Sequence, residues 1–301
     1  MSFLGFVHKK MTLCETIISF ARTIAKRLKV APEVLDDLYL NMRYRNIKKR
    51  YLVNNGNISY FDIKGAKLPD VSNSKENIKT LALIFDDCFL IPAFYNDNYD
   101  KILVNKLDKC TGEGPYGYTD GNFDVTVKRD DIVIDAGAWI GDFSAYATTK
   151  NAVAYAFEPS KESFALLCET AKLNNNLIIP VQKGLSNTEG EATMTIDSWS
   201  WGNSIILERS VGKEIVHLTT IDNFVEENKL EKVDFIKADI EGSERDMLRG
   251  ATNVLKTFAP KLAICTYHLP DDPQVLEQII KEANPNYTVV HLRHKLFASV
   301  V

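Results

Sequence analysis

The sequence predicts an α/β protein with a Rossmann-like parallel sheet, a helical N-terminal extension and a small hairpin. A short β-branched run, Ile132–Ile134, ends at Asp135, and Gly137 and Gly141 follow it. Short apolar runs next to glycine turns are typical of strands that are buried on both faces of a parallel sheet. Four further strands are expected, at Ala152–Phe157, Leu177–Gln182, Lys232–Ala238 and Pro260–Thr266. Ligands bind at the carboxyl ends of such strands, so the pattern predicts a ligand site along one edge of the sheet.

The composition is that of a globular chain of 301 residues, 45% hydrophobic and 25% charged. No apolar run approaches the roughly 20 residues that a membrane-spanning helix needs. The segment Met1–Lys10 lacks the layout of a secretory signal, so a cytoplasmic location is expected. Five scattered cysteines form no C-x-x-C pair and are expected to be reduced thiols.

Residues 1–110 are expected to form a cap of helices and a hairpin, and residues 111–301 to form the sheet domain. Apolar residues at helical spacing predict three helices, over residues 12–29, after Pro32, and from Lys75 to about Asp86. The pair Asn55-Gly56 predicts a hairpin turn. Residues 1–60 hold eleven Lys/Arg and four Asp/Glu, a balance of +7, which leaves −11 for the rest of a chain with net charge −4. Such a basic segment either contacts an acidic partner, phosphate or an anionic membrane surface, or is a solvated helix face.

The turn after the first strand distinguishes between nucleotide cofactors. The NAD fingerprint needs G-x-G-x-x-G, whereas this turn has Gly137 and Gly141 with Ala138 and Trp139 between them. An acidic residue two positions before the first glycine, here Asp135, favours S-adenosylmethionine, because the carboxylate can face the amino-acid end of that cofactor. A purely structural strand–helix turn is the alternative.

The second strand ends at an acidic residue, Glu158, about twenty positions beyond the glycine turn. An acid at that place accepts hydrogen bonds from ribose hydroxyls. The alternative is a carboxylate at a helix start, because Pro159 begins helices well and Ser160 can cap one. Beyond the third strand, Leu185 and Ser186 lie where an adenine would contact a side chain and the backbone.

Acidic residues follow the fourth strand, and a histidine follows the fifth. Asp239 and Glu241 fall on the ligand edge of the sheet, whereas Glu244 is expected to face or cap the next helix. His268 follows a neighbouring strand, so its side chain is expected to converge with that of Asp239.

Aromatic residues flank this region in two places, and each has two interpretations. Tyr116 and Tyr118 border a ligand or latch into the core. Trp199 and Trp201 form a platform for substrate or pack within the protein.

These segments resemble the FkbM family of S-adenosylmethionine-dependent methyltransferases. The matching elements are Asp131–Ser144, Ala156–Ser160, Thr219–Phe224, Asp234–Leu248 and the strand that begins at Pro260. They span about 170 residues, and the Asp-x-Glu-Gly-x-Glu segment after a strand is the most specific of them. The chain departs from the family at Trp139, where asparagine is frequent, and at Thr266-Tyr-His268, where many members have an acid before the histidine.

The resemblance implies a Rossmann-like methyltransferase fold, S-adenosyl-L-methionine as cofactor, and O-methylation of a hydroxyl on a sugar or small natural product. A hydroxyl does not ionise near neutral pH, so its proton needs a base. We expect His268 to be that base because histidine titrates near neutrality. Asp239 would orient it, contact the cofactor or serve as base itself, and Glu241 would assist.

No metal is expected, because no D-x-D or H-x-H spacing is present, although Asp239, Glu241 and His268 could together form a metal site. The expected partner is a small-molecule or saccharide acceptor and not a nucleic acid, and the sequence leaves the oligomeric state open. The alternative function is a non-catalytic module that binds S-adenosylmethionine or a partner. In that case the departures at Trp139 and Tyr267 indicate a changed site, and the basic N-terminal segment is the binding surface. The glycine spacing disfavours an NAD-dependent oxidoreductase.

Overall fold

The computed structural model describes residues 45, 48–49, 51–70, 116–196, 203–207, 212–292 and 294–301. The predicted helices before residue 51 and after Lys75 lie outside these ranges, as do Trp199 and Trp201. The chain divides into two compact units, and every described residue from Tyr51 onward belongs to the larger one. The boundary expected at residues 110–111 stays a prediction.

The larger unit is built from strands and helices that alternate along most of the chain. The strands are β1 (Leu52–Asn55), β2 (Ile58–Ile63), β3 (Ala66–Pro69), β4 (Tyr118–Thr119), β5 (Asp124–Val125), β6 (Ile132–Ala136), β7 (Val153–Phe157), β8 (Ile178–Val181), β9 (Gly184–Leu185), β10 (Gly190–Ile196), β11 (Gly212–Thr219), β12 (Phe235–Ala238), β13 (Lys261–Cys265), β14 (Tyr287–Leu292) and β15 (Lys295–Val300). The helices are α1 (Asp142–Thr148), α2 (Lys161–Leu173), α3 (Ile221–Glu227), α4 (Glu244–Arg249), α5 (Thr252–Thr257) and α6 (Asp272–Ala283).

The main sheet has seven strands in the order β14-β15-β13-β12-β6-β7-β8. The five strands from β13 to β8 pair in parallel, whereas β15 runs antiparallel to both of its neighbours. All five strands expected from the sequence are confirmed, and so is the adjacency of the strands that precede Asp239 and His268. The sequence analysis missed β15, whose first residue, Lys295, places a charge where an apolar run would be expected.

Both faces of this sheet are buried, as the apolar runs predicted. Alternate residues of the central strands enter two separate hydrophobic clusters. One cluster includes Ile134, Ala136, Ile236 and Ile264, and the other includes Val133, Phe235, Ala263 and Cys265. This alternation is the pattern of a parallel sheet covered on both sides.

The predicted hairpin is confirmed and packs on the main domain. Gly56 lies in the turn between β1 and β2 with a φ of 61°. The Asn174 side chain accepts a hydrogen bond from Lys67 N at 3.0 Å and donates one to Lys67 O at 2.7 Å. The small sheet of β1, β2 and β3, which falls in the region expected to form the cap, is therefore held through β3 at the C-terminal end of α2.

The helix expected at Glu244 is followed closely by a second one: α4 and α5 are two short helices, separated at Gly250 and Ala251. A Cβ atom at Gly250 would lie 2.1 Å from the backbone oxygen of Ser186, so the chain can pass there only with glycine. Thr220 caps α3 by accepting a hydrogen bond from Asn223 N at 3.0 Å. Asp222, in the first turn of α3, accepts hydrogen bonds from two backbone N–H groups at the start of α5.

Candidate active site

The glycine turn after β6 is pressed against the loop after β12. Gly137 has a φ of 71° and Gly141 a φ of 86°, and Trp139 between them also has a positive φ of 49°. A Cβ atom at Gly137 would lie 2.0 Å from the backbone oxygen of Asp239. Glycine is therefore required at this position by both conformation and space. The helix that follows the turn, α1, begins at Asp142, directly after Gly141.

A buried ion pair supports the turn from beneath. Asp135 is fully buried, with Oδ1 3.1 Å from Lys237 Nζ and Oδ2 accepting a hydrogen bond from Ser144 Oγ at 2.6 Å. Lys237 Nζ also donates to the backbone oxygen of Gly137 at 2.6 Å. Burial alone would lower the pKa of Lys237, but nearby carboxylates, with Asp135 foremost, raise it above its ordinary value. The lysine was not foreseen, although a charged residue inside an apolar strand is a signal for such a pair.

Asp142, the first residue of α1, is a second buried acid beside this pair. Its Oδ2 has no hydrogen-bond partner among the described residues, and burial raises its pKa to about 6. The sequence analysis did not single out Asp142, although it directly follows Gly141.

Glu158 connects the glycine turn to the start of α2. Its Oε2 accepts a hydrogen bond from Trp139 N and its Oε1 accepts one from Ser160 N, both at 2.9 Å. Burial raises the pKa of Glu158 to about 7. Ser160 occupies the N-cap position of α2, but its side chain makes no capping hydrogen bond. Each oxygen of Glu158 keeps a second lone pair, so the carboxylate serves the helix start and can still accept further hydrogen bonds.

A cleft opens above the carboxyl ends of the strands. The predicted residues that line it are Gly137, Trp139, Glu158, Pro159, Leu185, Asp239 and Glu241. The predicted residues that lie outside the lining are Asp135, Ala138, Gly141, Ser160, Ser186 and His268. The lining residues that were not predicted are Phe157, Lys183, Gly184, Met194, Asn203, Ile205, Ile240 and Ser243. Lys183 and Gly184 directly precede Leu185 and could have been found, whereas nothing in the sequence pointed to Asn203 or Ile205.

Three carboxylates surround the imidazole of His268. Its Nε2 lies 3.5 Å from Asp239 Oδ1 and 3.6 Å from Glu241 Oε1, and its Nδ1 lies 3.0 Å from Glu244 Oε1. The side chain is only 3% exposed. Burial disfavours the charged imidazole, but Glu241, Glu244 and Asp239 outweigh burial and raise its pKa to about 11. This corrects the sequence-based reason for choosing His268 as the base, because its pKa is far from neutrality.

Asp239 accepts hydrogen bonds from two tyrosines. Tyr116 donates to Oδ2, and Tyr267 donates to Oδ1 at 3.1 Å. Burial would raise the pKa of Asp239, but Lys237 and His268 hold it below its usual value. The carboxylate therefore stays ionised and fixed in position between the two phenol groups.

Both tyrosines of the predicted pair pack in the hydrophobic core, and neither is among the residues that line the cleft. Tyr116 is buried against Phe143, with ring centroids 5.5 Å apart, and its hydroxyl reaches Asp239 beside the cleft. Tyr118 instead stacks on Phe297 at 5.7 Å and is a latch into the core. The buried ammonium of Lys295 lies 4.3 Å from the centroid of the Tyr116 ring, a favourable cation–π distance.

Glu244 fastens the loop between Asp239 and α4, as expected for an acid at a helix start. It is fully buried, and its two oxygens accept hydrogen bonds from Ile240 N at 2.8 Å and Gly242 N at 3.1 Å. The loop has positive φ angles at Glu241 and Gly242. These bonds hold the Glu241 backbone in a conformation that an isolated chain would rarely adopt.

The seven-stranded, mostly parallel sheet with a glycine turn and an acid-lined cleft at its carboxyl edge is a Rossmann-like fold. Residues 135–287, just over half of the chain, match the methyltransferase FkbM domain. The chain belongs to the FkbM methyltransferase family, and its cofactor is S-adenosyl-L-methionine.

Two curated proteins and one solved structure illustrate the similarity. The hexuronic acid methyltransferase AglP of Haloferax volcanii is 27% identical over 165 residues, which are 55% of this chain and 67% of that protein. The methyltransferase sdnD of Sordaria araneosa is 28% identical over 189 residues, which cover 50% of this chain and 73% of that protein. A crystal structure of methyltransferase FkbM from Methylobacillus flagellatus has a TM-score of 0.48 and 16% identity, and the match covers 89% of this chain and 60% of that one.

The cleft residues fit S-adenosyl-L-methionine. Gly137 lies in the cleft wall, and Glu158 has acceptor capacity for ribose hydroxyls. Leu185 and Met194 are buried apolar residues on the same wall, suited to the flat face of an adenine. Within the part of the chain that the structure describes, no helix has the length and hydropathy to cross a bilayer.

Proposed function

We propose that this methyltransferase O-methylates a hydroxyl group of a saccharide or another small hydroxylated molecule. The observation that carries the proposal is the position of Asp239 and Glu241, which line the cleft directly against the Gly137 turn. An acceptor held by these carboxylates would lie next to the cofactor. The name of the AglP relative, a hexuronic acid methyltransferase, supports a saccharide acceptor.

The cofactor would be held by residues on the other side of the cleft. Glu158 would accept hydrogen bonds from the ribose, and Leu185 would pack against the adenine. Trp139 and Pro159 would border the nucleoside, while Asp135 would act from below through Lys237. The predicted residues outside the lining would form the framework of this half of the cleft: Ala138, Gly141, Ser160 and Ser186.

S-adenosyl-L-methionine, when bound, would supply the methyl group of its sulfonium. Its C–S bond would break as the new C–O bond forms, and neutral S-adenosylhomocysteine would remain. The protein has two tasks, to hold the acceptor oxygen in line and to remove its proton. We assign these tasks to Asp239 and Glu241, because both line the cleft. His268 lies behind them, and we treat it as a positioning residue that holds both carboxylates.

A hydroxyl group on the acceptor can donate a hydrogen bond to Asp239 or Glu241, whereas a free carboxylate cannot donate to either. The methylated position on a uronic acid would accordingly be a hydroxyl.

The test is transfer of a ¹³C-methyl group from labelled cofactor to a panel of neutral saccharides and uronic acids. An alkali-stable O-methyl ether in the carbon NMR spectrum is the expected product. An alkali-labile methyl ester or an N-methyl product would overturn the assignment to a hydroxyl. Tight cofactor binding without a product from any acceptor would favour the non-catalytic module instead.

A further inference from the structure

We infer that Asp239, Glu241 and His268 form a binding site for a divalent metal ion at the acceptor end of the cleft. One oxygen from each carboxylate and the Nε2 atom of His268 lie within 4.8 Å of one another. The two distances from Nε2, 3.5 and 3.6 Å, are close to the separations of about 3.0–3.4 Å between neighbouring ligands around an ion with bonds of about 2.1 Å.

The buried imidazole of His268 distinguishes this cluster from an ordinary group of acidic residues. Its side chain is 3% exposed, and its Nε2 makes no hydrogen bond of normal geometry with any described residue. Nδ1 faces Glu244 Oε1 at 3.0 Å, so Nε2 is the ring nitrogen left for a ligand, because buried polar atoms are nearly always paired. Nε2 is directed at the two oxygens that a metal ion would share with it.

The Nδ1 edge of the His268 ring has the arrangement that is typical of metal-bound histidines. Nδ1 lies 3.0 Å from Glu244 Oε1, and Glu244 is itself fixed by Ile240 N and Gly242 N. A carboxylate behind the imidazole selects the tautomer whose other nitrogen is a free ligand, and it orients the ring. Glu244 would therefore act as the supporting carboxylate and not as a ligand.

A metal ion on the Nδ1 side is disfavoured, because the Arg245 guanidinium already neutralises the Asp272 carboxylate there. Asp272 is the further acid on that side, but Arg245 donates to its Oδ1 at 2.7 Å and Leu269 N donates to its Oδ2 at 2.8 Å. On the Nε2 side, Asp239 and Glu241 line the cleft, so an ion there would have coordination positions open to water or to an acceptor hydroxyl. Each oxygen of Asp239 that binds a tyrosine keeps a second lone pair for the ion.

Two carboxylates and one imidazole suit a borderline ion such as Mn²⁺ or Zn²⁺ better than Ca²⁺, which prefers an all-oxygen shell. The role of the ion rests on the proposed function. A hydroxyl bound to a divalent ion is far more acidic than a free one, and its proton can pass to water at the mouth of the cleft. The acceptor oxygen would then be prepared for methylation without a strong protein base.

The test is titration of the full chain with Mn²⁺, followed by electron paramagnetic resonance. One tightly bound ion is expected, with coupling to a nitrogen nucleus in the pulsed spectrum. Glu241→Gln and Asp239→Asn should each weaken Mn²⁺ binding at least about tenfold, and Glu244→Gln should weaken it by about 10–100-fold, the usual range for a supporting residue. His291→Gln is the matched control, because His291 also pairs with a glutamate, Glu277, but at an exposed position.

Several outcomes would overturn the metal site. These are the absence of nitrogen coupling, unchanged affinity in both ligand variants, or loss of the signal in His291→Gln. Transfer at full rate by chelator-treated protein would remove the metal from the reaction and leave the proposed O-methylation intact. Bound Mn²⁺ with nitrogen coupling, but no methylated acceptor of any kind, would support the metal site and refute the proposed acceptor class.

Discussion

The two halves of the cleft are built in different ways. The cofactor half comes from consecutive segments, with Gly137 and Trp139 in one turn and Glu158 at the end of the next strand. Its hydrogen bonds join neighbouring loops, as between Glu158 and Trp139 N. The acceptor half joins residues that are far apart in the chain. Tyr116 reaches Asp239 across 123 positions, and Tyr267 reaches it across 28.

The electrostatics differ in the same way. In the cofactor half, burial of the single acid Glu158 dominates and raises its pKa to about 7. In the acceptor half, opposite charges outweigh burial, so that His268 is held with a pKa of about 11 and Asp239 stays ionised. The first half can thus change its charge near neutral pH, whereas the second is a fixed cluster of charges. This difference suits one half to binding a nucleoside and the other to holding a cation or an acceptor.

The largest expected effect is at Gly137, where the two halves touch. Gly137→Ala places a methyl group 2.0 Å from the Asp239 carbonyl oxygen and forces alanine into a left-handed conformation. Overpacking of this kind costs about 1–3 kcal/mol, and the backbone conformation adds about 1 kcal/mol. The midpoint of denaturant unfolding should fall accordingly, and binding of S-adenosylhomocysteine should be lost.

The matched control is Gly121→Ala. Gly121 also has a positive φ, 95°, but a Cβ atom there meets nothing within 4 Å. This variant should lose only the conformational part, about 1 kcal/mol. Equal losses in the two variants would show that the contact between the halves is unimportant.

The next largest effects should distinguish the cofactor half of the cleft from the acceptor half by function. Glu241→Gln is expected to slow methyl transfer by about 10²–10⁴-fold while the dissociation constant of S-adenosylhomocysteine stays unchanged. Glu158→Gln should do the reverse and weaken binding of the product at least about tenfold, because an amide cannot accept from both backbone N–H groups and the ribose. Calorimetry and single-turnover rates on both variants measure the two quantities. If both variants changed both quantities alike, the division of the cleft would be wrong.

A smaller effect concerns pH and belongs to the cofactor half alone. Glu158 has its pKa raised to about 7, so it is protonated below that pH and ionised above it. Only the ionised form can accept hydrogen bonds on every lone pair, so the affinity for S-adenosylhomocysteine should rise between about pH 6 and 8. Titrations over this range should show a rise of several fold in the native protein. Glu158→Gln has no such proton, and a persistent pH dependence in that variant would assign the effect to another acid such as Asp142.

The same contrast explains how much the sequence could predict. Local sequence patterns, namely apolar runs and the glycines beside them, were enough to predict the five parallel strands, the turn at Gly137 and the acid at Glu158. The convergence of Asp239 and His268 also followed, because neighbouring parallel strands bring their carboxyl ends together. The pKa of His268 did not follow, since it depends on Glu244 and Glu241 lying on opposite sides of one ring. Lys295 was not predictable either, because β15 is inserted between β13 and β14 by tertiary pairing and not by sequence order.

The smallest effect would show how rigid the acceptor half is. Tyr267→Phe removes the hydrogen bond to Asp239 Oδ1 at the partly exposed rim, and a single such bond contributes about 0.5–1.5 kcal/mol. Transfer should therefore slow by about 2–12-fold, with no change in the dissociation constant of S-adenosylhomocysteine. Tyr118→Phe is the control, because the Tyr118 hydroxyl contacts the exposed Asp120 at 3.4 Å and not the cleft. A loss in Tyr267→Phe as large as that in Glu241→Gln would mean that the phenol itself contacts the acceptor, whereas no loss would mean that Tyr116 alone positions the Asp239 carboxylate.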